Sequence, residues 1–266
     1  MNLTAVIRAD AAPNLGIGHV ARCLSLASVL ADKGYDITFA SRPGTRESAP
    51  MLDDAAVEIF EFKPDSDDET GQMKKQWPAG IDLLVVDSYE LDANFETGCR
   101  KWSQQIVTID DLADRRHDCD ILVDSSPARQ AKDYDGRIPN DCNLMLGSSH
   151  ALLRPGFARL RPSTIHRRGK PGPIDRLLIN FGGTDAWNLT PLVIEAVALS
   201  KLKCGADIML GSGAVNQEDV KAAIAQYLPG ARLHVGHSRP EQLMANADLA
   251  IGAGGGTAWE RCALGL

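Results

Sequence analysis

Aromatic residues are scarce, at 5% of the 266, and there is no excess of positive charge. Lys and Arg number 28 against 35 Asp and Glu, a formal net charge of −7. That balance argues against a general nucleic-acid binder, which presents a basic face, while leaving room for a local basic pocket. The six cysteines (Cys23, Cys99, Cys119, Cys142, Cys204 and Cys262) are scattered, with no C-x-x-C pair and no metal-ligand spacing. No metal site is expected, and a reduced, cytoplasmic protein is the plain reading. No apolar run approaches the ~20 residues of a membrane span, so no membrane partner is expected. No secretory signal opens the chain either, because the apolar run at 3–7 soon meets Arg8 and Asp10.

What is present is the composition of an ordinary globular enzyme, 44% hydrophobic and 24% charged, with strand and helix signals in alternation. A strand is expected over 3–8. A helix follows over 19–33, with apolar residues at 20, 23, 24, 26, 27 and 30 and a stop at Gly34. Short apolar runs at 36–40, 81–86, 106–109, 121–123 and 144–146 predict further buried strands, hence a parallel α/β sheet covered on both faces. The acidic stretch 61–72 reads as a solvated loop. The stretch 162–173 holds Pro162, Arg167, Arg168, Gly169, Lys170, Pro171, Gly172 and Pro173, and reads as a linker and hinge. Beyond it the pattern restarts with a strand over 176–180, a glycine turn, a helix capped by Asn188 or Thr190, and strands over 206–210, 232–235 and 248–251. The expected organisation is an N-terminal domain over 1–161, a linker over 162–173 and a C-terminal domain over 174–266. These form two Rossmann-like halves with a cleft between them. The second half looks unfinished, since a helix starts at about 258 where a doubly wound half adds another strand and helices. A truncated C-terminal half is therefore expected.

Three glycine turns follow apolar strands. In the first, Gly16-Ile17-Gly18 leads to His19 at the start of a helix, where unpaired N–H groups and the dipole suit an anion. A cationic imidazole is disfavoured there, so His19 is a candidate general base. The same run also fits G-x-G-x-x-A through Ala21, and Arg42 after the second strand offers a partner for a 2′-phosphate, which keeps an NADP-linked oxidoreductase open. The plainer reading is a helix-start turn with a capping histidine. Gly182-Gly183-Thr184-Asp185 is a phosphate-cradle candidate or an ordinary βα turn. Gly252-Ala253-Gly254-Gly255-Gly256-Thr257 forgoes much backbone entropy, which close approach of a ligand would offset. Glu260, three residues after Thr257, can accept hydrogen bonds from two ribose hydroxyls, or can close a capping box with Thr257. Asp87-Ser88-Tyr89 and Asp110-Asp111 follow apolar strands and belong at the carboxyl edge of the sheet, as ligand contacts or as turn caps, with Tyr89 the better candidate to touch a sugar. His117, His166, His234 and His237 fit no pattern.

The run Arg8-Ala9-Asp10 through Gly16-Ile17-Gly18-His19-Val20 and Arg22-Cys23-Leu24 resembles the opening of a bacterial nucleotide-sugar hydrolase family. Its members are UDP-2,4-diacetamido-2,4,6-trideoxy-β-L-altropyranose hydrolases of pseudaminic acid biosynthesis, often labelled flagellin-modification or spore-coat polysaccharide proteins. Val86-Asp87-Ser88-Tyr89, Ile109-Asp110-Asp111, Leu152-Leu153-Arg154-Pro155, Phe181-Gly182-Gly183-Thr184-Asp185 with Asn188-Leu189-Thr190, and Gly255-Gly256-Thr257 with Glu260 agree in order along the chain. The resemblance implies a glycosyltransferase-B-like fold with UDP on the C-terminal half. It implies His19 as the base that activates water, Glu260 on the uridine ribose, and Gly182, Gly183, Thr184, Gly255, Gly256 and Thr257 near the diphosphate. Asp10, Gly18, Tyr89 and Arg154 are further substrate-binding candidates at matching positions. Two departures stand out: His150 where the family usually has Tyr, and Gly156 where it has an acid.

The expected reaction is attack of water on the anomeric carbon of a UDP-sugar, without cofactor or metal, in a monomer or weak oligomer. Rivals are a glycosyltransferase of the same fold, the NADP-linked oxidoreductase, and a non-catalytic nucleotide-sugar-binding module.

Overall fold

A computed structural model describes residues 3–64, 68–170 and 172–266. The chain divides into two compact units. One holds the residues up to Ala12 and those from His19 to Leu152; the other holds Pro13–Gly18 and Leu153–Leu266.

The first unit contains β1 (Leu3–Ala9), α1 (Gly18–Asp32), β2 (Tyr35–Ser41), α2 (Thr45–Ser48), β3 (Glu58–Glu61), α3 (Glu69–Gln76), β4 (Ile81–Asp87), α4 (Ala93–Cys99), β5 (Ser103–Ile109), β6 (Ile121–Asp124) and β7 (Asn143–Leu146). The strands form one seven-stranded sheet in the order β3-β2-β1-β4-β5-β6-β7, parallel throughout. Strands buried on both faces are apolar through most of their length, and β1 and β4 follow this: Ala5, Val6, Ile7, Leu84 and Val85 are fully buried, with the buried charges Arg8 and Asp87 confined to their carboxyl ends. Each such Val, Leu or Ile contributes about 1.5–3 kcal/mol by leaving water. Val6, Leu84, Ile106 and Leu122 join Met73, Trp102 and Tyr134 in one core.

The second unit contains α5 (Pro155–Arg168), β8 (Arg176–Asn180), α6 (Leu189–Ser200), β9 (Gly205–Leu210), α7 (Gln217–Tyr227), β10 (Arg232–Val235), α8 (Pro240–Asn246), β11 (Leu249–Gly252) and α9 (Gly256–Ala263). Its four parallel strands run β10-β9-β8-β11. This is the mononucleotide-binding order, in which consecutive strands lead outward one way and the fourth reverses beside the first. Ile179, Ile208 and Val220 pack on one face of the sheet, and Leu178, Met244 and Phe157 on the other.

Two expectations need correction. The stretch 61–72 is not simply a solvated loop: β3 ends at Glu61, and α3 begins at Glu69 with Asp68 as N-cap, its carboxylate accepting from Gly71 N at 2.7 Å. Its polar sequence hides a single apolar anchor, fully buried Met73, and a buried acid, Glu69. Positions 65–67 of that stretch lie outside the described residues. The linker expected over 162–173 is helical through Arg168, with Pro162 inside α5. The basic run is used structurally. Arg167 donates to the carbonyls of Ala245 and Ala247, and Arg168 to those of Met244, Ala247 and Leu264, which satisfies carbonyls that helix ends leave open. Pro171 is outside the described residues.

Candidate functional site

In the first unit α1 starts at Gly18, so His19 is its second residue, and Arg22 three positions on lies on the same face. Both converge on Asp87, the last residue of β4. His19 Nδ1 lies 2.6 Å from Asp87 Oδ1; Arg22 donates from Nε to Oδ2 and from Nη2 to Oδ1, each at 2.6 Å. The Cys23 thiol donates to Oδ2 at 3.4 Å. Burial by itself would raise the Asp87 pKa, but the bonds and charges of Arg22 and His19 outweigh it and hold it at about 2. An ionised carboxylate only accepts, so Nδ1 carries a proton, and in the neutral imidazole the lone pair is then on Nε2. Arg22 Nη2 stands farther off, 3.2 Å from Nδ1.

Tyr89 meets the His19 ring edge-on at 4.6 Å between centroids, and its hydroxyl donates to Asp111 Oδ2 at 3.2 Å. The same oxygen accepts from Arg22 Nη1 at 3.0 Å. Burial and the Asp111 charge push the Tyr89 phenol up to about 12, so it remains a hydrogen-bond donor at neutral pH. The sheet edge thus gathers His19, Arg22, Asp87, Tyr89 and Asp111. Asp110 instead takes the cap role, accepting from Ala113 N at 2.8 Å and from the Tyr134 hydroxyl at 2.9 Å.

Asp10 sits beside this group in an ion-pair chain. Fully buried Arg8 bridges Asp10 and Glu69 at 2.7 Å each, and Asp10 also accepts from Arg42 N at 2.8 Å. Arg42, the residue that would take a 2′-phosphate in the NADP reading, is committed to two carboxylates, Glu69 at 2.7 Å and Glu90 at 2.5 Å. An extra phosphate there would meet acids, so the structure removes the main support for that reading.

In the second unit the register pairs Gly252 of β11 with Asn180 of β8, so both glycine turns leave the same edge one strand spacing apart. A Cβ at Gly252 would stand 2.1 Å from the Asn180 carbonyl oxygen, which makes glycine obligatory there. Gly182 turns with φ +87°, and Gly183 packs against Ile17 on one side while its carbonyl accepts from Gly211 N at 2.9 Å. Thr184 follows, half-buried. The α6 cap expected from Asn188 or Thr190 comes from Asp185, whose carboxylate accepts from Leu189 N and Thr190 N at 3.0 Å each and from Asn216 at 2.8 Å. At the other turn, Gly255 (φ +86°) precedes α9, leaving the first N–H groups, those of Gly256 and Thr257, without intrahelical partners.

Glu260 does not close the capping box with Thr257. It accepts from Arg154 Nη2 at 2.7 Å. Burial lifts its pKa above the usual carboxylate range despite the Arg154 guanidinium. At Gly156 a Cβ would come within 3.0 Å of the Glu241 carboxyl group, so Glu241 occupies the space beside this glycine.

Sequence reasoning placed Asp87 and Asp111 at the sheet edge but did not join them to His19 through Arg22. The available signal was the His19-x-x-Arg22 spacing, which aims both side chains off one helix face.

No family model matches the chain. Over 203 residues, 74% of the chain, it is 27% identical to the UDP-2,4-diacetamido-2,4,6-trideoxy-β-L-altropyranose hydrolase of Campylobacter jejuni. The chain spans 66% of that relative's length and 53% of a second curated relative's. Among solved structures it is similar to MurG of Acinetobacter baumannii, with a TM-score of 0.63 and 15% identity, covering 99% of this chain and 76% of that one. It is also similar to Anabaena HepE in complex with UDP-glucose, with a TM-score of 0.53 and 11% identity, covering 93% and 73%. The chain therefore has the α/β fold of the glycosyltransferase-B group, and its sequence resembles that of a UDP-sugar hydrolase.

Proposed function

We propose that this protein hydrolyses a UDP-sugar, with His19 activating the water that attacks the anomeric carbon, and that the sugar is a 2,4-diacetamido-2,4,6-trideoxy sugar. The observation that carries the proposal is the 2.6 Å contact of His19 Nδ1 with ionised Asp87, which fixes the tautomer whose Nε2 accepts a proton. Asp87 stabilises the imidazolium formed as the water proton arrives, and Arg22 holds Asp87. In the second unit the glycine turns and the start of α9 offer N–H groups to the diphosphate, whose charge grows as the C–O bond breaks. Glu260 accepts from the ribose hydroxyls. The name of the Campylobacter relative supports the substrate class.

Glu260→Gln should weaken UDP binding roughly 10-fold or more, since hydrogen bonds to a charged acceptor contribute about 1.5–3 kcal/mol. Because its pKa is raised, wild-type affinity should decline on acidification at a pH above the ordinary glutamate range, and the variant's should not. Calorimetric titration at several pH values reads both effects; identical affinities would remove Glu260 from the nucleotide site.

A glycosyltransferase is the second reading, favoured by the fold of the solved neighbours. Phosphorus NMR of the UDP-trideoxy-diacetamido-altrose turned over in ¹⁸O-enriched water separates them. UDP released without heavy isotope, together with free sugar, supports hydrolysis at carbon. Intact substrate in a sample that binds UDP defeats the hydrolase; consumption only when an alcohol acceptor is added assigns a transferase, and none at all a binding module.

A further inference from the structure

Cys119 and Cys142 precede β6 and β7, which pair in parallel with Ile121 opposite Asn143. The bond from Asn143 N to the Asp120 carbonyl, 2.8 Å, clamps the two backbones one residue beyond each cysteine. Their Sγ atoms lie 3.7 Å apart, both thiols free. With Ile121 opposite Asn143 the two cysteines are offset by one residue, and it is the contact of their sulfur atoms that shows the side chains reaching one another. Forming the ~2.05 Å bond requires the sulfurs to close in from 3.7 Å. Cys142 is half-buried and meets solvent species first, while Cys119 lies behind it, 1% exposed. Both stand at the amino ends of their strands, the edge opposite that of Asp87 and Asp111.

We propose that Cys119 and Cys142 are a redox modification site that closes to an intramolecular disulfide when the protein meets a small disulfide of the glutathione type. The Cys142 thiolate attacks one sulfur of the oxidised glutathione, breaking its S–S bond and releasing one glutathione thiolate. Cys119 passes its proton to the glutathione thiolate just released and attacks the Cys142 sulfur, forming the protein disulfide and releasing the second glutathione. Two cysteine thiols are oxidised and one glutathione disulfide is reduced to two thiols. The shared thiol contact draws the Cys142 pKa down and pushes that of Cys119 up, which makes Cys142 the attacking group and Cys119 the resolving one. The product ties the last two strands of the first unit together and closes the loop that carries Tyr134.

The test uses the full chain, incubated with oxidised glutathione and digested for mass spectrometry. Expected are a peptide linking Cys119 to Cys142, free of glutathione and reversed by a thiol reductant, and a melting temperature raised by roughly 5–10 °C. Exposed Cys262 serves as the internal control and should end as a glutathione adduct. Cys142→Ala, a change at a half-buried position, should abolish both the linked peptide and the melting shift. Glutathione retained on Cys142, or an unmodified Cys142 beside a modified Cys262 in protein folded by circular dichroism, overturns the proposal.

Discussion

His19→Asn binds UDP as the wild type does and loses turnover by roughly 10²–10⁴-fold, the range a positioned base contributes. The asparagine retains a polar group beside Asp87 but offers no nitrogen basic enough to take a proton from water. The separation of effects is the informative part, because the proposed nucleotide contacts belong to the second unit, to Gly182, Gly183, Thr184, Gly255, Gly256, Thr257 and Glu260, whereas His19 belongs to the first. Calorimetry for UDP and a steady-state rate for the UDP-sugar measure the two quantities. Undiminished kcat would remove His19 from the chemistry; lost UDP binding would make it a structural residue.

Asp87→Asn should carry the second large effect, a kcat loss of roughly 10²-fold or more together with reduced stability. The amide cannot accept from Nδ1 and both Arg22 nitrogens at once, since one of its positions is now a donor. Where it faces Nδ1 it favours the opposite tautomer, with the proton on Nε2. It also leaves half-buried Arg22 with Asp111 as its remaining carboxylate, a smaller defect than the ~3–5 kcal/mol lost when one member of a fully buried pair is removed. The acid dependence gives an independent reading. Asp87 has a native pKa of about 2 against an ordinary 3.8, so its stabilisation is complete above about pH 4 and is lost as the pH falls through 2. That shift corresponds to about 2 kcal/mol. Denaturant titrations between pH 2 and 5 should show the variant losing less stability across this window than the wild type; equal losses would contradict the assignment of the charge to this network.

Much of the fold was legible because parallel strands declare themselves. The apolar runs at 3–8 and 176–180 admit only buried strands, and the glycines after them mark where each ends. The α3 and α5 segments were misread for the same physical reason. Both use charged side chains as structural groups, Glu69 against Arg8 and Arg42, and Arg167 and Arg168 against carbonyls, and a hydropathy pattern counts every charge as solvent-facing. At the candidate site the histidine could be found from its place after a glycine turn. Its partner could not, because Asp87 lies 68 residues away and is brought in by the neighbour relation of β1 and β4. For Glu260 the sequence offered a ribose contact or a capping box with Thr257; the structure pairs it instead with Arg154, 106 residues earlier, a partner that no local pattern could reveal.

The strand order also bears on how the protein emerges during synthesis. β1 is made first yet lies in the middle of its sheet, with β2 on one flank and β4 on the other. The second flank arrives only when residues 81–87 leave the ribosome, roughly 4–16 s later at 5–20 residues per second. Throughout that interval a strand with an apolar centre, Ala5, Val6 and Ile7, paired on one edge at most, must be kept from pairing with other nascent chains. A chaperone that holds apolar segments should therefore bind this chain most strongly before β4 has left the ribosome.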